Sequence, residues 1–156
     1  MTMTLLQAQT RYGTITNGLW PLESLHASLW EMPLAMAGEL YHWLNTATAL
    51  PVTHIYALTD MHAPLEAALT AVIDLKLASQ LQSFDGCHNI RAIRGRPDTQ
   101  SAHSWAGAID INAATNALGT PGDISDDFAE CFMLQGFTWG KRFKRSDPMH
   151  FSWLGF

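Results

Sequence analysis

Apolar residues in the first part of the chain recur at helical intervals. Leu22, Leu25, Leu29 and Trp30, then Leu34, Leu40, Trp43 and Leu44, fall three or four apart and predict one or two helices interrupted at Pro33. A second helix is better marked. Asp60 or Met61 precedes Pro64 near its first turn, and Leu65, Leu69, Val72, Ile73, Leu77 and Leu81 form one apolar stripe that ends before Phe84-Asp85-Gly86. After Gly86 the pattern shortens. Residues 88–93, 108–112, 138–139 and 149–153 read as strands, and 125–134 reads as a helix capped by Asp123 or Ser125 with Phe128, Cys131 and Phe132 inward. Helices first and strands later predict an α+β fold, with helices packed on one face of a small, mainly antiparallel sheet. No repeat, low-complexity tract or linker interrupts the chain. The expectation is a single domain over 1–156, with 1–59 as a helical N-terminal scaffold and 60–156 as the core that carries the chemistry.

Composition narrows this picture. At 156 residues and 47% apolar content the chain has the length and composition of one folded domain, which excludes collagen, coiled coil and wholesale disorder. Nine Lys and Arg against fourteen Asp and Glu give −5, so a nucleic-acid partner held by a basic field is not expected. The charge is uneven. Residues 1–140 hold five basic and thirteen acidic groups, whereas Lys141, Arg142, Lys144 and Arg145 face Asp147 alone in 141–156. Any anion-attracting surface is therefore expected at the C-terminal end. Cys87 and Cys131 are too few for a disulfide framework or a four-cysteine zinc site and read as ordinary, partly buried thiols. The opening MTMTLLQAQTR lacks the pattern of a secretory signal, which predicts synthesis in the cytoplasm. The longest uncharged stretch, 42–59, is too polar to span a membrane.

Seven histidines invite a metal reading, but His26, His42, His54, His62 and His88 read as structural or solvated. The informative segment is Ser101 to Asn112. On a strand, period two puts Ala108, Asp110 and Asn112 on one face and Ile109 with Ile111 on the other, toward the core. A carboxylate there is costly to bury unless it is paired or ligates a metal, and small Ala108 leaves room for an ion and for His103. The same spacing also suits an exposed strand face with a turn histidine. Farther on, an extended segment turns His150 and Ser152 one way and Met149 with Phe151 the other. Asp147 precedes His150 by three residues across Pro148, near enough to stand beside an ion without ligating it, or equally to serve as a turn or cap residue. Two histidines and one aspartate would leave a fourth zinc position open, as in catalytic sites.

Ser101-x-His103, Ala108-x-Asp110 and Asp147-x-x-His150-Phe151 resemble the zinc-dependent peptidoglycan peptidases (LAS-type metallopeptidases). That group includes D-alanyl-D-alanine carboxypeptidases and dipeptidases and phage L-alanyl-D-glutamate endopeptidases. Phe84-Asp85-Gly86-Cys87, Asn89-x-Arg91-x-Ile93-x-Gly95 and Gly136-Phe137-Thr138-Trp139-Gly140 are similar to its phage endolysin branch. The resemblance covers roughly residues 60 to 153. It implies one zinc ion held by His103, Asp110 and His150, with Asp147 as general base. It also implies Arg91 at the substrate carbonyl or developing oxyanion and Ser101 supporting the site; by spacing, Arg94 and Arg96 are alternatives to Arg91. A monomer acting on peptidoglycan stem peptides, as an endolysin released to the wall, is the expectation. A cytoplasmic D-Ala-D-Ala dipeptidase and a non-catalytic zinc-containing wall-binding or structural domain are the alternatives. Two departures stand out: Ala106 replaces the glycine three residues after His103, with Gly107 one place later, and Lys141 replaces the second glycine after Trp139. If positive φ is needed at 106, Ala106 would strain the turn. The basic loop Lys141–Arg145 would be solvated and able to steer an acidic stem peptide.

Overall fold

The computed structural model describes residues 2–156; Met1, at the head of the 1–156 reading, lies outside the described residues. Helix α1 (Leu5–Tyr12) opens on a reciprocal capping box between Thr4 and Gln7 and buries Ala8 and Tyr12. A one-turn helix α2 (Glu23–His26) leads into strand β1 (Ala27–Glu31), and α3 (Leu34–Glu39) starts behind Pro33. Strand β2 (Leu44–Asn45) comes next, then β3 (His54–Leu58), which pairs antiparallel with β1. The helical reading of 22–44 and of a helical 1–59 scaffold is thus corrected at β1 and β3. Leu25 and Leu29, which supplied the helical spacing, are 73% and 56% exposed, whereas Trp30 is buried and donates from Nε1 to Glu66. Pairing with β3 overrides the local periodicity.

Helix α4 (Thr59–Asp74) buries Leu65, Leu69 and Val72 along its stripe. It stops earlier than predicted: Lys76 takes φ 61°, and Leu81 reaches the core only after a 3-10 turn over Ala78–Gln80. The predicted helix stop Phe84-Asp85-Gly86 lies inside strand β4 (Ser83–Gly86). Strand 88–93 shrinks to β5 (Ala92–Ile93), paired with an unpredicted β6 (Arg96–Gln100). Residues 88–91 are irregular because their hydrogen bonds go to the turn carrying His103 rather than to a ladder.

Strands β7 (Ala108–Ile111), β8 (Thr138–Trp139) and β9 (His150–Ser152) complete a five-stranded sheet of order β2-β4-β7-β9-β8. Among the described residues, only the β2–β4 pair is parallel. Helix α5 (Asp126–Met133) is capped by Ser125, whose Oγ accepts from Phe128 N at 3.2 Å. Its Phe132 ring lies 4.7 Å from that of Phe151, on whose ring Trp139 stacks at 10° between planes. Each such aromatic contributes about 1.5–3 kcal/mol of burial, and Phe151 lies on β9 directly after His150. The architecture is mixed α+β with mostly antiparallel pairing. Among the described residues no helix is long and apolar enough to cross a membrane.

Candidate metal centre

Register places the first two site residues. β7 and β9 pair antiparallel with Asp110 opposite His150, while Ile109 and Phe151, on the opposite side of the same pair, are fully buried. Alternation then turns both polar side chains to the same face. His103 arrives on a 3-10 turn over Ala102–Trp105, capped by Ser101, whose Oγ accepts from His103 N at 3.4 Å. The turn leaves through Ala106 at φ 51°, the left-handed conformation the motif glycine would supply. Gly107 cannot exchange roles with it, because a Cβ there would lie 2.7 Å from Leu154 and 3.1 Å from Leu58.

His103 Nε2, His150 Nδ1 and Asp110 Oδ1 form a triangle with sides of 3.1, 3.0 and 3.2 Å. A tetrahedral ion with bonds of about 2.0–2.1 Å sets its ligand atoms about 3.3 Å apart, so the triangle fits zinc closely. His103 Nδ1–H donates to the Cys87 carbonyl at 2.8 Å, which turns a bare Nε2 lone pair toward the centre. One proton can bridge only one side of this triangle at a time, whereas a dication meets all three donors. No other group of three among the described residues converges this way. Burial alone would raise the Asp110 pKa, but hydrogen bonds and charge from both imidazoles outweigh it and hold the carboxyl well below the usual range.

Asp147 stands over this triangle on a braced loop. Its N–H donates to Gly140 O at 2.9 Å, its carbonyl accepts from His150 N at 3.1 Å, and Trp139 Nε1 donates to Pro148 O at 2.7 Å. Gly140 has no alternative, since a Cβ would come 2.5 Å from Asp147 O and 3.0 Å from His150 Cβ. Among the described residues, the buried Asp147 Oδ1 has no hydrogen-bond partner. Burial raises its pKa, Asp110 adds to the rise, and His150, His103 and Arg91 oppose it. A carboxylate of raised basicity beside a candidate metal-binding triangle is equipped to take a proton.

The remaining predicted residues are less centrally placed. Arg91 is exposed, with its backbone clamped by Ser101 N–H and the Ser104 hydroxyl and its Nη1 donating at 3.4 Å to Ala92 O. Its charge reaches Asp147, but no hydrogen bond joins it to the triangle among the described residues. Arg94 lies in the β5–β6 turn and Arg96 opens β6, both exposed. Asn112 departs from the predicted site-facing side of the strand: at φ 56° its Oδ1 accepts from Gln82 N and Ser83 N, so it latches the end of β7 to the start of β4. Ser152 is a latch too, accepting from Gly155 N and donating to Phe156 O. His42 and His62 contact backbone carbonyls, and His88 packs between Trp20 and Tyr56, all outside the triangle.

Sequence reasoning missed Ser104 and Asn116. Ser104 is fully buried and ties Arg91 to Gln100. Asn116, also fully buried, accepts from Asp123 N and Ile124 N, while its carbonyl accepts from Met149 N beside His150. Neither stands in a recognisable pattern; the Asn-Ala-Ala-Thr-Asn run reads as a loop and nothing more.

Residues 94–153 match the family model described as D-alanyl-D-alanine carboxypeptidase, which supports a peptidase. The matched stretch contains His103, Asp110, Asp147 and His150 and begins after Arg91. No curated protein and no solved structure matches the chain significantly.

Proposed function

We propose that the chain is a zinc-dependent peptidase that hydrolyses an amide bond in bacterial peptidoglycan stem peptides, as a phage or prophage endolysin released to the wall. The observation that carries this reading is the triangle of His103, Asp110 and His150 with the partnerless Asp147 oxygen beside it. Zinc held by these three side chains would supply a Lewis acid for the scissile carbonyl. Asp147 takes the proton of the attacking water and delivers it to the leaving amine, a task its raised basicity suits. Arg91, an exposed side chain on a clamped backbone, is the group that meets the oxyanion as charge develops. Ser101 holds His103 in line from below. The Cys87 carbonyl fixes the imidazole tautomer, and second-sphere partners of this kind are worth about 10–100-fold in metal affinity. The whole of 1–156 acts as one monomeric peptidase unit in this proposal, supported by an apolar core drawing on residues from Ala8 to Leu154.

A second reading concerns the bond. The matching family's description favours a D-Ala linkage, as in a carboxypeptidase or a dipeptidase, over the L-Ala–D-Glu bond that the endolysin-like motifs favour. Purified peptidoglycan and free D-Ala-D-Ala, digested in parallel and resolved by mass, separate the two. Wild type is expected to release wall peptides in a zinc-dependent manner. Asp147→Ala is expected to retain zinc and lose roughly 10²–10⁴-fold in rate. Zinc-loaded, folded wild type that cuts neither substrate overturns the reading and leaves the wall-binding domain.

A further inference from the structure

Seven of the nine Lys and Arg residues fall in two short segments, 91–96 and 141–145, and the rest of the chain holds two basic residues against thirteen acidic ones besides Asp147. The fold joins the segments. Arg145 Nη1 lies 4.0 Å from where a Cβ on Gly95 would stand, in the turn between β5 and β6. Both segments also reach the triangle. The Phe143 ring lies 5.9 Å from the His150 ring, and the Arg91 backbone is bonded to Ser101 and Ser104 on either side of His103. Two of the seven charges are placed differently: Lys141 Nζ stands 4.8 Å from the centre of the Trp139 ring, and Arg142 lines a groove beside α5 together with Asp126 and Glu130, without an ion pair to either among the described residues. Arg94, Arg96, Lys144 and Arg145 are exposed and form no salt bridge among the described residues.

We propose that Arg94, Arg96, Lys144 and Arg145 form a cationic rim at the mouth of the triangle that selects peptides carrying carboxylates next to the bond to be cut. Cleavage of a bound peptide rests on the peptidase reading; binding at the rim does not. A rim of this kind on an otherwise acidic protein raises the local concentration of small anions and sets specificity through encounter. An extended polyanion such as nucleic acid would have to cross the acidic remainder of the surface, whereas a short acidic peptide meets the rim alone.

Calorimetric titration of the intact protein with acetylated tetraglutamate and with acetylated tetraglutamine, at low and at high salt, tests the rim. Tetraglutamate is expected to bind more tightly, with the advantage fading as salt screens exposed charges. The double variant Arg94→Ala/Arg145→Ala is expected to weaken tetraglutamate about fivefold, and Arg142→Ala less than about twofold. Equal binding of the two peptides overturns the rim, as does an Arg142→Ala loss equal to that of the double variant. So does single-stranded DNA bound as tightly as tetraglutamate. Selective binding without cleavage of any peptide upholds the rim and refutes the peptidase; salt-independent cleavage of acidic and neutral peptides alike does the reverse.

Discussion

The triangle and the rim above it are built on opposite terms. His103 and His150 are 3% and 8% exposed, and their backbones are tied down, His103 O accepting from Asn89 N and His150 N donating to Asp147 O. The rim residues are solvated side chains, three on loops and Arg96 at the first position of β6. Buried donors hold one geometry and cannot adapt, while solvated cations adapt freely and contribute little each. A site that must fix an ion and also admit varied peptides needs both. The sharpest break between them is Asp110→Ala, which removes one corner of the triangle. It is expected to abolish zinc retention through dialysis and all hydrolysis, read by metal analysis beside activity, while tetraglutamate binding at the rim persists.

A smaller break comes from glycines. Gly140→Ala drives a methyl into the Asp147 carbonyl and His150, and overpacking of this kind costs about 1–3 kcal/mol. Hydrolysis is expected to fall more steeply than stability, because the displaced groups are the proposed base and a proposed ligand; thermal melts and turnover on one sample separate the two. Gly95, at φ +85° with only the flexible end of Arg145, 4.0 Å away, near its missing Cβ, is the counterpart on the rim. Its change to Ala is expected to cost about 1 kcal/mol of strain and leave turnover intact.

The same contrast explains what is legible in the sequence. Strand alternation at 108–111 and 150–152 is a local rule, so spacing alone puts Asp110 and His150 each on the polar face of its strand. His103 is legible as a neighbour of the site, though its 3-10 turn is not. The Cys87 carbonyl that orients it is backbone and leaves no trace in residue type. β1 reads as helix because exposed Leu25 and Leu29 mimic a helical stripe, and only the pairing partner β3, far along the chain, decides the matter. Asn112 escapes its predicted face because period two fails where the strand ends in a left-handed residue. The union of 94–96 with 144–145 is a long-range contact between two loops, visible in sequence only as two unrelated charge runs.

Ala106, at the end of the turn that carries His103, yields the smallest expected effect. Its φ of 51° holds a Cβ in a conformation that costs an L-residue about 1–2 kcal/mol, directly behind the ligand turn. The carbonyl of this residue accepts from Leu58 N at 2.9 Å and from the Cys87 thiol at 3.4 Å, so the strained peptide is tied both to β3 and to the segment that orients His103. Ala106→Gly relieves the strain but also frees the unfolded chain, which takes back about 0.4–1 kcal/mol. The net gain is expected to be near 0.5 kcal/mol, about 1–2 °C in the melting temperature for a chain of this size. Zinc affinity is expected to rise at the same time, since a relaxed turn lets His103 settle on the ion. A melt that rises without a change in zinc affinity would show that the strain sits in the scaffold and is not transmitted to the triangle.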